Sequence, residues 1–143
     1  MDSTEPCAYR VSVKGIAIDE SGRFLLTKED IGRWEMLGGG LEHNEDPIES
    51  LKREIYEEAG LVVTYVSPTP KYFITCRKTE YRGKKYKGYV ANVVYEIKLR
   101  DLNFVPSEEC TELRFFSVDE ARKVDLFPNV EKFLDLFNPK LHL

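Results

Sequence analysis

From Tyr9 the chain alternates, with Tyr9, Val11 and Val13 set against Arg10, Ser12 and Lys14. A period of two predicts a half-buried strand, and the apolar run Ile16–Ile18 predicts that it becomes more fully buried as it proceeds over 9–19. Asp19 to Gly22 reads as a turn, and Phe24 to Thr27 starts a second strand. Residues 28–37 read as a loop and a short strand that deliver Trp34, Met36 and Leu37 to a turn made by Gly38, Gly39 and Gly40. The period then changes. Ile48, Leu51, Ile55 and Ala59 recur at spacings of three and four, the stripe of an amphipathic helix. Asp46 suits the N-cap, Pro47 the first helical position, and Glu49 the third place of a capping box, while Gly60 suits the left-handed residue past the end. These signals bound a helix at Pro47–Ala59.

Beyond the helix, residues 62–66 and 71–79 return to strand, broken by Ser67, Pro68 and Pro70. Residues 86–99 form a long strand candidate rich in Val, Tyr and Ile. Residues 113–117 read as strand, Val118 to Lys123 as a short helix, and 128–138 as a terminal helix opened by Pro128. Val130, Phe133, Leu134 and Phe137 stripe that last helix, first as core and second as a dimer contact. Strands before and after the central helix, with a helix at the end, predict an α/β domain with a mixed sheet between helices.

Glu54, Glu57 and Glu58 stand beside the apolar stripe of the central helix at i, i+3 and i+4, so their carboxylates are expected to converge. Like charges at this spacing repel, and anions near a helix C-terminus oppose the macrodipole. A run of glutamates ordinarily faces water, but local placement against propensity also marks functional sites. A hard divalent cation with oxygen ligands would relieve the repulsion, and Mg²⁺ commonly combines a few carboxylates with substrate phosphates.

Gly39, Glu45, Arg53, Glu54, Ile55, Glu57, Glu58, Gly60 and Leu61 fill every fixed place of the pattern G-x5-E-x7-R-E-U-x-E-E-x-G-U, with U aliphatic. On these residues, Gly39 to Leu61, the chain resembles the Nudix hydrolases, with weaker likeness from about Tyr9 onward. The resemblance implies the α/β/α Nudix sandwich with a central mixed sheet, one domain over 1–143, and Mg²⁺ as cofactor with Mn²⁺ as a substitute. It implies metal ligation by Glu54, Glu57, Glu58 and the carbonyl at Gly38, and it gives Arg53 the role of orienting a neighbouring carboxylate through a forked hydrogen bond. Without the resemblance, Arg53 would only pair with Glu49 one turn away. Glu45 reads as structural, an acid favourable near a helix N-terminus. Leu37 stands where relatives often carry proline, and Asn44, which tolerates the left-handed region, stands where they often carry glycine. Relatives often place one more acid ahead of an aromatic strand. Counting back from Phe115 favours Glu109, with Glu108 and Glu112 as rivals. Glu54 or Glu109 is then the candidate general base.

The reaction implied is hydrolysis of a phosphoanhydride in a nucleoside diphosphate linked to another group, first a (d)NTP or an oxidised nucleotide. ADP-ribose or an NDP-sugar comes next, and a non-catalytic nucleotide-binding module is the rival from another class. Arg77, Lys78, Arg82, Lys84, Lys85 and Lys87 interleave with Tyr81, Tyr86 and Tyr89 in an expected β-hairpin with a basic, aromatic tip. It reads first as a solvated hairpin guarded by lysines, and second as a group reaching the substrate through Arg77 and Tyr89. Trp34 reads first as a packing residue and second as a base-stacking one. His43 and His142 lack Cys or His neighbours and read as surface residues.

At 143 residues with 42% hydrophobic and 32% charged residues, the composition fits one globular domain. A net charge of −4 gives no drive toward nucleic acid or anionic membrane, and the resemblance implies a small nucleotide as the partner, with a homodimer allowed. No apolar run approaches membrane-spanning length and no signal pattern opens the chain, so a cytoplasmic location is the expectation. Cys7, Cys76 and Cys110, odd in number and far apart, suit reduced thiols rather than disulfides or a zinc site.

Overall fold

The computed structural model describes residues 7–81 and 83–142. Arg82 and the side chains of Tyr81, Tyr86 and Lys87, expected at the hairpin tip, lie outside that description. Strands β1 (Tyr9–Ile16), β2 (Phe24–Lys28), β3 (Trp34–Glu35) and β4 (Leu37–Gly40) precede helix α1 (Pro47–Ala59). Strands β5 (Val63–Val66), β6 (Tyr72–Tyr81), β7 (Lys84–Leu99) and β8 (Glu112–Phe116) follow, and helices α2 (Val118–Ala121) and α3 (Pro128–Leu136) close the chain before a 3-10 turn over Pro139–His142.

The central sheet is mixed, as expected. β7 runs parallel to β1 and antiparallel to β6 and β5, and β4 extends the sheet antiparallel to β1. A second, three-stranded antiparallel sheet, β3-β2-β8, was not foreseen. It arises where the chain after β1 turns back on itself, with the Leu25 N–H donating to the Ala17 carbonyl and Ile18 bridging to Phe24.

Two apolar clusters lie on opposite sides of the sheets. Leu51, Ile55 and Ala59 of α1 pack with Val13, Leu25, Leu37 and Ile97. Val130, Phe133 and Leu134 of α3 pack with Ile16, Phe24, Met36, Tyr72 and Val94. The stripes read from the 3.6-residue period are therefore core faces, and the layers are helix, sheet, helix.

Local chemistry explains the helix ends. Asp46 accepts a 3.0 Å bond from the Glu49 N–H, and Gly60 (φ 67°) donates to the Tyr56 carbonyl at 2.8 Å. Asn44 adopts φ 65°, as its tolerance of the left-handed region suggested. α3 stops at Leu136 rather than 138, because the residue before Pro139 is disfavoured in the helical region and Phe137 already has ψ 126°. The short helix expected over Val118 to Lys123 ends at Ala121, although Ser117 and Glu120 form a complete capping box at its start.

Two expectations are corrected. The three glycines are not a turn: β4 runs through them, with Gly38, Gly39 and Gly40 opposite Lys14, Val13 and Ser12. His142 is not on the surface. Its side chain is 1% exposed, stacked on Phe137, with Nε2 2.6 Å from the Tyr72 hydroxyl and Nδ1 against Glu96. Those partners come from distant strands, so spacing along the chain could not reveal them. His43 is exposed, as expected.

Candidate active site

The face of the central sheet opposite α1, the N-terminus of α3 and the loop after β7 enclose a cleft of about 520 Å³. β4 brings the glycines to its edge, and their lack of side chains is what lets the helix approach. A Cβ on Gly39 would stand 2.5 Å from the Glu54 Oε2, closer than any real carbon contact. Gly38 has φ 125°, a conformation that side chains rarely adopt.

The helix presents its acids unequally. Glu58 is 7% exposed, and its Oε1 accepts a 2.7 Å bond from the Gly38 N–H. Burial is the main reason its carboxyl titrates well above the ordinary glutamate range, outweighing the Lys14 ammonium and the Gly38 N–H, which pull it down. Glu54 also lines the cleft and is raised, first by burial, then with the negative fields of Glu57, Glu109 and Glu45 opposing the relief from Arg53.

Glu57 does not join them. Its side chain is 57% exposed and both carboxylate oxygens take bonds from Arg53 Nη1, at 3.2 and 3.1 Å. The expected convergence of three carboxylates is therefore corrected. Among the described residues no three such side chains are gathered as a ready cation cage. Mutual repulsion separates the acids, and the one guanidinium at the helix surface takes the most solvated of them.

Arg53 does fork, but between carboxylates: its other Nη binds Glu45 at 2.7 Å and lies 3.3 Å from Glu54. Glu49 pairs instead with Lys52 at 3.8 Å. Glu45 ties Arg53 to the loop before the helix, accepting also from the Glu42 N–H, and these bonds, the backbone one first, hold its carboxyl below the usual value.

Glu109 lines the cleft, whereas Glu112 faces Arg114 at 2.8 Å. The loop carrying Glu109 is fastened to the end of α1. Ser107 Oγ donates to the Glu58 carbonyl at 2.5 Å and the Val105 N–H to the Ala59 carbonyl at 2.8 Å, satisfying carbonyls that a helix end leaves open. Thr27 Oγ1 holds the Glu109 carbonyl at 3.1 Å.

The candidate substrate residues divide. Arg77 lines the cleft with Lys78 at the base of the hairpin. Tyr89 is half exposed, rests against the Tyr9 ring at 5.7 Å, and is not among the residues lining the cleft. Trp34 is 3% exposed, edge-on to Phe116 and under the Arg114 guanidinium, so its faces are taken by protein and none is open to a base.

Several cleft residues escaped the sequence reading: Lys14, Glu35, Asn92 and Asn129 above all. Lys14 is 7% exposed, with Nζ 3.3 Å from the Gly38 carbonyl oxygen and 3.9 Å from Glu35. Asn129 Nδ2 donates to Glu35 Oε1 at 2.8 Å and to Asn92 Oδ1 at 2.7 Å. A signal existed, since Lys14 and Asn92 interrupt apolar strand segments at VKGI and VANVV. A buried polar residue in a strand needs a partner, and the partner is a site candidate.

Five glutamates line the cleft against four basic residues, Lys14, Arg33, Arg77 and Lys78. That balance suits a polyphosphate only with an added cation. Glu54, Glu58, Glu109 and the Gly38 carbonyl supply the hard oxygen donors that Mg²⁺ or Mn²⁺ prefers, so the residues present fit such an ion.

The family model described as the NUDIX domain matches residues 8–137. A MutT-like protein of Streptomyces ambofaciens is 39% identical over 77 residues, which cover 53% of this chain and 50% of that protein's length. The nucleoside triphosphatase NudI of Klebsiella pneumoniae is 27% identical over 117 residues, 76% of this chain and 83% of that one. Among solved structures, the MutT protein from Methanosarcina mazei shares the fold with a TM-score of 0.68 at 22% identity, covering 96% of this chain and 98% of its own.

Proposed function

The chain belongs to the Nudix family, pyrophosphohydrolases that act on phosphoanhydride bonds, and from that premise we propose that it hydrolyses a nucleoside triphosphate or an oxidised form of one with the help of a divalent cation. The observation that carries this reading is that Glu54, Glu58 and Glu109 line one cleft with Gly38, and that Arg33, Arg77 and Lys78 line it too. Acids alone would repel a polyphosphate and bases alone would leave the acids without purpose. Together they suit a substrate that arrives with its cation. The preference for triphosphates rests on the likeness to NudI of Klebsiella pneumoniae, which spans most of both chains.

Mg²⁺ or Mn²⁺, when bound, would neutralise phosphate oxygens and make a water more acidic. Glu54, Glu58 and the Gly38 carbonyl would hold it, and Glu57 would join by leaving Arg53. Glu54 or Glu109, each at the cleft, takes the proton from the attacking water. Arg77 and Lys78 bind the phosphates that remain, and Arg53, once Glu57 has left it, keeps its hold on Glu45 beside Glu54.

The test is a panel of dNTPs, oxidised dNTPs, ADP-ribose, NDP-sugars and dinucleotides, incubated with Mg²⁺ and followed by product identification. Release of phosphate or pyrophosphate from triphosphates, lost with chelator and in Glu58→Gln, is the expected outcome. Cleavage of ADP-ribose alone would replace the substrate assignment. Tight nucleotide binding without any release would make the protein a binding module.

A further inference from the structure

We propose that Lys14 is a built-in counter-cation that holds the Gly38 carbonyl in the metal-free protein and yields that oxygen when a divalent ion binds. The proposal rests on the metal-dependent reading above and adds a determinant of metal affinity to it.

Lys14 faces Gly38 directly across the β1–β4 pair. Its ammonium is buried and reaches the Gly38 carbonyl at 3.3 Å, with Glu35 at 3.9 Å. Burying an ammonium is unfavourable unless charges and hydrogen bonds compensate it. Here they do. Glu58 binds the N–H of the same glycine whose carbonyl Lys14 holds, so one residue carries a carboxylate on its donor side and an ammonium on its acceptor side. Glu35 is itself fixed, its Oε1 accepting from the Met36 N–H at 2.8 Å and from Asn129 at 2.8 Å. Asn129 in turn binds Asn92 on the sheet. The lysine is thus aimed by a chain of bonds that begins at the start of α3.

A divalent ion at the Gly38 carbonyl would use the oxygen that Lys14 now holds and would be repelled by the ammonium. The two cations are therefore alternatives at one oxygen, and each lowers the affinity of the other by the same factor. In the metal-free state the lysine neutralises a cluster of acids that would otherwise repel. In the loaded state it caps how tightly the ion is retained.

The experiment measures Mn²⁺ binding to the substrate-free protein by calorimetry, together with thermal melting with and without Mn²⁺, for the parent, Lys14→Met, Lys14→Gln and Lys14→Arg. Both neutral variants are expected to bind Mn²⁺ roughly fivefold or more tightly, at the lower end of ordinary coupling between two sites. They are expected to melt at a lower temperature without metal and to gain more from it, while Lys14→Arg stays near the parent. Should Lys14→Met fold only as Mn²⁺ is added, that metal-dependent folding supports the proposal equally. Unchanged or weaker Mn²⁺ binding in both neutral variants overturns it. If binding is lost in Glu58→Gln but indifferent to position 14, only the counter-cation role fails. If the parent takes up no Mn²⁺, the metal-dependent reading fails with it.

Discussion

Gly39→Ala isolates the spacing between β4 and α1 from everything else in the cleft. The backbone at Gly39 lies outside the left-handed region, so alanine is accepted there without conformational strain. Its methyl would stand 2.5 Å from the Glu54 Oε2 and 2.7 Å from the carboxyl carbon. Reaching ordinary contact, near 3.4 Å, asks the Glu54 carboxylate to retreat by about 0.9 Å. A side-chain tip can move that far, so the fold should lose only about 1 kcal/mol, the low end of overpacking costs. A metal ligand cannot, since coordination distances tolerate only about 0.2 Å. Mn²⁺ affinity and turnover should therefore fall by roughly ten- to a hundredfold, the usual penalty for a displaced support. Calorimetric titration and a melting scan on the same preparation separate the two effects. Gly15→Ala is the control: its methyl would meet the Ile97 Cδ1 at 2.8 Å in the core, so it should lose stability and keep Mn²⁺ affinity. Parental Mn²⁺ affinity and turnover in Gly39→Ala would refute the assignment of Glu54.

Three further outcomes follow from the same geometry. Glu58 titrates above its ordinary range in the native state, so the folded metal-free protein holds that proton more tightly than the unfolded chain, and stability is lost as pH rises through the native value. Glu58→Gln should therefore melt higher than the parent in chelator at mildly alkaline pH and lose that advantage in acid; an advantage that ignores pH contradicts the burial argument. Phe133→Ala empties a fully buried position against Phe24 and Tyr72 and should cost about 3–5 kcal/mol in denaturant unfolding, and a loss under 1 kcal/mol would show that α3 is not the lid of that core. Arg53→Lys keeps the charge but cannot fork between Glu45 and the carboxylates of the helix; stability should be nearly unchanged, as for exposed ion pairs, while turnover drops roughly tenfold, and a parental rate would reduce Arg53 to a surface residue.

Much of this geometry could be read from the chain, because its signals were local. The α1 boundaries follow from Asp46, Pro47 and Gly60, each acting through its own backbone. The core stripes of α1 and α3 follow from a period that burial enforces. The pairing of Lys14 with Gly38 depended on register between strands far apart in sequence, and no local pattern encodes that. The strand through the glycines is not legible because glycine is a poor strand residue by propensity, and it takes the close approach of Glu54 at Gly39, of Arg10 at Gly40 and the backbone conformation of Gly38 to make it the suitable one. The acids of α1 were correctly placed on one helix, but spacing says nothing of which partner each carboxylate finds. Arg53 claims Glu57, and Gly38 claims Glu58.

β7 is the spine of the central sheet: its 16 residues pair with β1 on one edge and with β6 and β5 on the other. During synthesis the entire acidic helix is made before the first residue of that spine exists. A nascent chain or proteolytic fragment ending before Lys84 would own every fixed residue of its motif and still lack the platform that faces it, so activity should arrive late and all at once rather than accumulate with length.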